Sequence, residues 1–153
     1  MRVEFDHQIE GNAKIRDLKF TDRVRCVYGK VQRWDEVVED GTRRGNDAAE
    51  MSCQTLRMAT SRWNGQQALH FEALGNIYIQ SEQFDAHAAR LTYDQHKDLM
   101  VLHGDPRGGA MLRYAQQPGS DPVPLNADRI KFWPGKMDYE IEGFRSLNLG
   151  IGR

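Results

Sequence analysis

Apolar residues recur along this chain at every second position, the spacing of half-buried β-strands rather than helices. Leu18, Phe20, Val24, Cys26 and Tyr28 keep one parity, with charged or polar residues between them. Leu69, Phe71 and Ala73 do the same and are followed by Ile77 and Ile79. Helical periodicity is almost absent, so the pattern predicts an all-β protein.

The strands repeat. Ala88-Ala89-Arg90-Leu91-Thr92-Tyr93 aligns without gaps to Ala127-Asp128-Arg129-Ile130-Lys131-Phe132. The same offset carries Lys97 onto Lys136, Leu102 onto Ile141 and Gly104 onto Gly143. A weaker copy is Cys53-Gln54-Thr55-Leu56-Arg57-Met58. Within each copy the apolar parity flips at one point: Met51 and Cys53 give way to Leu56 and Met58, Ala86 and Ala88 to Leu91 and Tyr93, Leu125 and Ala127 to Ile130 and Phe132. A regular strand cannot change its inward parity, so each copy must contain a bulge or a corner. The residue before each flip is small, as a crowded inner corner requires.

Glycine two residues after an apolar position is the second mark, in Ile9-Glu10-Gly11, Ala73-Leu74-Gly75, Leu102-His103-Gly104 and Ile141-Glu142-Gly143. Glycine inside a strand pattern signals a bulge or bend. Turns separate flip from glycine at Arg62-Trp63-Asn64-Gly65, Asp94-Gln95-His96-Lys97-Asp98 and Trp133-Pro134-Gly135-Lys136. Each unit therefore reads as a bent hairpin. Stacked, the units predict a bent antiparallel β-jelly roll, a folded-over, V-shaped sheet forming a single domain over 1–153. Two segments interrupt the pattern and read as long loops or hairpin tips: the charged stretch 29–47 and the glycine- and proline-bearing stretch 105–124.

At these residues the chain resembles the OstA-like, LptA-type family of lipopolysaccharide-transport periplasmic domains (organic solvent tolerance). The resemblance rests on Phe71-x-x-x-Gly75-Asn76-Ile77, Phe84-x-Ala86-x-Ala88-x-x-Leu91-x-Tyr93-Asp94, Leu102-x-Gly104, Ala127-Asp128-Arg129-Ile130 and Ile141-Glu142-Gly143, and covers most of residues 18–149. It implies an open jelly roll whose interior accepts acyl chains and whose edges join like domains or other transport components. The implied function is non-catalytic binding and transport of lipopolysaccharide or a similar acylated lipid during outer-membrane assembly, in the periplasm or cell envelope. The start, MRVEFDHQIEGN, has no apolar signal-peptide core, so a mature form or a piece of a longer chain is expected. A rival reading is a structural β-solenoid, a scaffold or adhesive module that binds no lipid.

Composition fits this picture. Of 153 residues, 39% are hydrophobic and 28% charged, too little apolar material for a thick globular interior but enough for strands with one wet face. Lys+Arg 21 against Asp+Glu 22 leaves a net charge of -1, which argues against a nucleic-acid partner and leaves only local basic rims, such as Arg90, Lys97, Arg129 and Lys136, to attract lipid phosphates.

Candidate chemistry is sparse. Asp85-x-His87 and His103-x-Asp105 lack the third ligand of a metal centre, and His87 falls on the outward parity. Ser61, Ser81 and Ser146 have no nucleophile elbow, Gly108-Gly109 no phosphate-loop context, and Glu36 and Glu39 sit in a charged loop. No catalytic residue, metal or cofactor is expected, and a jelly-roll metalloenzyme ranks third among the readings. Cys26 and Cys53 read as buried thiols, or as a disulfide in an oxidising compartment. The lead is the inward apolar set, which includes Phe20, Val24, Leu56, Met58 and Met100. Its groove-facing, lipid-binding candidates are Phe71, Ile77, Ile79, Leu91, Tyr93, Leu102, Ile130, Phe132 and Ile141.

Overall fold

The computed structural model describes residues 1–12, 14, 16–29, 48–115 and 120–147; the expected loop 29–47 thus lies outside the described residues beyond Gly29. Among those described there is no helix. The strands are β1 (Arg2–Glu4), β2 (Gln8–Asn12), β3 (Asp17–Tyr28), β4 (Ala49–Trp63), β5 (Gln66–Ser81), β6 (Phe84–Asp94), β7 (Leu99–His103), β8 (Ala110–Tyr114), β9 (Val123–Trp133) and β10 (Asp138–Leu147).

All pair antiparallel, in the order β1-β3-β4-β5-β6-β7-β9-β10, with β2 also beside β3 and β8 also between β6 and β9. β1 and β2 pair with opposite ends of β3 and so form one interrupted edge strand. β7 and β8 likewise share one lane between β6 and β9. The lane is broken by a tight excursion at 104–109, closed by the Asp105–Gly109 bridge and by Asp105 Oδ1 accepting the Arg107 N–H at 2.7 Å. β8 corrects the expectation of a long loop over 105–124. Ala110, Leu112 and Tyr114 are core residues, and only the brevity of the strand and its flanking glycines and prolines hid it.

The sheet folds over along one line that crosses every lane. Register breaks fall between Thr21 and Val24, Ser52 and Thr55, Leu74 and Ile77, and, in the last pair, Phe144 and Ser146, next to Gly143, which lies against Asp128. On β4, β6 and β9 consecutive inward residues are three apart (Cys53 to Leu56, Ala88 to Leu91, Ala127 to Ile130), which is the parity flip. On β3 and β5 they are four apart (Phe20 to Val24, Ala73 to Ile77), and left-handed backbone takes up the extra residue: φ is 65° at Asp22, 43° at Arg23, 77° at Gly75 and 47° at Asn76. The flips and the glycines are therefore the short and long sides of the same corner. Gly11 is the exception. The first lane breaks at Phe5–His7 instead, and Gly11 lies close against the Asp17 carbonyl.

Folding brings the inner faces of the two halves together. Phe84, on one half, meets Phe132, on the other, edge to face with ring centroids 4.9 Å apart; Tyr114 meets Tyr139 at 5.3 Å. Leu56, Ile77, Leu91, Leu102, Leu112, Leu125, Ile130 and Phe132 are fully buried between the halves. The outer face is wet and carries cross-strand ion pairs: Arg57–Asp17, Arg90–Glu72, Arg129–Glu142 and Lys131–Glu140. Exposed pairs of this kind add little stability. They account for the high charged fraction without needing a charged partner.

Candidate ligand cavity at the mouth of the folded sheet

Away from the corner the two halves part, and the space between the strand ends forms a cavity of about 490 Å³. One wall carries Cys26, Tyr28, Met51, Ile79 and Phe84; the facing wall carries Leu69, Phe71, Tyr93, Met100 and Met137. The polar rim is Ser81, Gln83, Gln95 and Asp98. Three of these are already engaged: Ser81 Oγ accepts the Phe84 N–H at 3.0 Å, Gln95 Oε1 accepts the Leu69 N–H at 2.8 Å, and Asp98 Oδ2 accepts the Gly135 N–H at 2.8 Å.

The candidates read from the sequence divide accordingly. Phe71, Ile79 and Tyr93 line the cavity, with the Phe71 and Tyr93 rings 5.2 Å apart. Ile77, Leu91, Leu102, Ile130 and Phe132 are buried within 1% exposure, so their side chains pack the sheet-on-sheet core and offer no open surface. Ile141 is half-buried on β10, against the core but outside the cavity. Met51, Phe84, Met100 and Met137 line it and were not singled out as groove residues. Met51 and Met100 do keep inward parity, a signal available in the sequence; the turn residues Asp98 and Met137 carry none.

The expected basic rim is elsewhere. Arg90 and Arg129 lie on the outer face in their ion pairs, and Lys97 bonds Asp94 at 3.3 Å. Beside Arg90 and Arg129, and partly desolvated, His103 is pushed below the usual histidine range, first by burial and then by both arginines. His87 points outward, as its parity predicts, and stacks on Tyr78 at 4.6 Å.

One constellation escaped the sequence reading. On the outer face Ser61 Oγ lies 2.6 Å from His70 Nε2, and His70 Nδ1 lies 3.6 Å from Asp94 Oδ1, beside a depression of about 390 Å³. The Asn64-Gly65 turn foretells part of it: Trp63 opposite Gln66 puts Ala59 opposite His70 and Ser61 diagonal to it. The arrangement has the order of a hydrolytic triad but not its mechanics. The His–Asp separation exceeds a hydrogen bond. Asp94 is committed to the His96 N–H and to Lys97. The ladder also occupies the strand N–H groups that would have to stabilise an oxyanion. The contact reads as a cross-strand polar pair.

Compared with protein-family models and with curated proteins, the chain matches none.

Cys26 faces the cavity, and Cys53, diagonal to it across β3 and β4, sits behind; both are free thiols. Burial pushes Cys26 up to about 11 and Cys53 up to about 12. At pH 8 only about one Cys26 in a thousand would be thiolate, the reactive form. We expect an aromatic disulfide reagent at that pH to leave both thiols nearly unlabelled in the folded protein and to label both within minutes in urea. Rapid native labelling of Cys26 would mean that the mouth opens wider than the structure shows.

Proposed function

We propose that the chain is a non-catalytic lipid-binding and transport module of the cell envelope that holds acyl chains in the mouth of its folded sheet. The observation that carries this is the cavity itself: apolar and aromatic walls from both halves, open at the strand ends, with polar groups confined to the rim. Pockets of this size and lining suit small amphiphiles, and each methylene buried contributes about 0.8 kcal/mol. The family resemblance adds the cargo class, lipopolysaccharide or a similar acylated lipid, and a periplasmic setting.

The sheet edges support the transport half of the reading. β2 and β10 end the sheet on opposite sides, with Ile9 50% and Phe144 56% exposed. The two edge lanes run antiparallel, so a second copy placed by translation continues the sheet by strand addition. A structural module without lipid would share these edges but has no use for an open mouth.

The test is native mass spectrometry of detergent-free protein incubated with lipid A and with single-chain lipids. We expect retained lipid at one per chain, lost on Phe71→Asp with Tyr93→Asp and kept on Phe144→Asp. Absence of every lipid from the unaltered protein would remove the proposal in favour of the scaffold reading.

A further inference from the structure

The methionines of this chain are not spread evenly. Of its six, Met51, Met100 and Met137 line the mouth, and Met1 lines it too. Met51 stands on one wall, Met100 and Met137 on the facing wall. The sealed interior is built otherwise: its largest fully buried side chains are leucines, isoleucines, Phe132 and Val24, with no methionine among them. Among the described lining residues of the mouth Ile79 is the one branched at Cβ. The polar rim imposes little of its own, since Ser81, Gln95 and Asp98 each accept a backbone N–H of this chain.

A side chain branched at Cβ presents a fixed shape, because crowding there restricts χ1. Methionine has three rotatable bonds along an unbranched stem and a polarisable sulfur, so it moulds itself to what lies against it. Surfaces that accept many partners use methionine for this reason. We infer that the mouth takes acyl chains with little regard to their shape, straight, kinked or branched, because methionines on both walls repack around each. This rests on the lipid-binding reading and deepens it: the ligand class is set by apolar area rather than by one chain geometry. Met51 and Met100 carry the property. Both sit on strands and are only 6% exposed, yet both border the cavity.

The experiment is calorimetric titration of the full chain with three sixteen-carbon carboxylates below their micelle concentrations: the straight saturated chain, the chain with a cis double bond at its middle, and a chain bearing methyl branches. They share one head group, so the rim contributes equally to each. The unaltered protein should bind all three within about threefold of one another. In a pocket of fixed shape one extra or missing methylene is worth about 10–200-fold. Met51→Ile with Met100→Ile stiffens both walls at strand positions that suit isoleucine. That pair should spread the three ligands over about tenfold or more. Met111→Ile, on the outer face and outside the cavity, should leave the spread as it was. If urea unfolding shows that the isoleucine pair does not fold, Met51→Leu with Met100→Leu applies the same test with a gentler change of shape. A wider spread in the unaltered protein, or one that the methionine pair leaves untouched, overturns the shape tolerance and leaves lipid binding standing. If none of the three binds, the lipid-binding reading falls and this inference with it.

Discussion

Phe132→Ala is expected to be among the most damaging truncations in the molecule, costing about 3–5 kcal/mol in urea unfolding. A domain of this size typically has only about 5–15 kcal/mol to lose. Phe132 is fully buried, on β9, and its ring meets Phe84 from the opposite half of the sheet. Removing it opens a void where neither half can move inward without breaking ladder hydrogen bonds. Phe71→Ala removes the same ring from the wall of the mouth, where Phe71 is only half-buried and already borders empty space. That change should cost about 1–2 kcal/mol, the transfer share without the cavity share. Equal costs for the two would mean that the mouth is as closely packed as the core.

The contrast also marks how far the sequence speaks. Alternation identifies which side chains point inward, and Phe71, Tyr93, Leu91 and Phe132 all do. It does not say how deep along the strand a residue lies when the sheet folds. Distance from the corner decides that: Leu91, beside the corner, is sealed, whereas Tyr93, two residues further out, reaches the mouth. The corner itself is legible only on alternate lanes. A three-residue step changes parity and is visible at Cys53–Leu56, whereas the four-residue step at Phe20–Val24 preserves parity and is silent. Asp22 and Arg23 give no warning, because left-handed backbone at ordinary residues has no sequence mark. Gly75 does, since glycine is the residue that takes such angles without a Cβ penalty.

The polar rim was less legible still. Asp98 lies in a four-residue turn after β6, and nothing in that turn's composition shows that it faces Tyr93 and the Gly135 turn rather than solvent. Lys97, its neighbour, looked equally able to serve a ligand, yet it reaches Asp94 on the other side of the sheet. Neighbours in sequence at a strand end point to opposite faces, so which of Lys97 and Asp98 borders the cavity depended on one residue of register. The basic rim expected from Arg90 and Arg129 failed for the same reason: both have outward parity.

The corner offers the second large effect. Gly75→Ala places a Cβ at φ 77°, which costs an L-residue about 1–2 kcal/mol by itself. The new methyl also meets the Gln54 side chain, folded over the glycine from β4, with its Cδ 2.7 Å away. Displacing Gln54 adds to the backbone cost, so the single change should destabilise by about 2–3 kcal/mol. In a Gln54→Ala background the side-chain share should vanish and the backbone share, about 1–2 kcal/mol, remain. Gly143 repeats the geometry, with φ 66° and Asp128 in the place of Gln54. It lies on β10, however, which pairs on one side only, whereas β5 is held by both β4 and β6. An edge strand can shift to relieve the clash, and a central one cannot. Gly143→Ala should therefore cost less than Gly75→Ala in the same denaturation measurement. The reverse order, or a cost at Gly75 below about 0.5 kcal/mol, would show that β5 does not turn the corner through left-handed backbone.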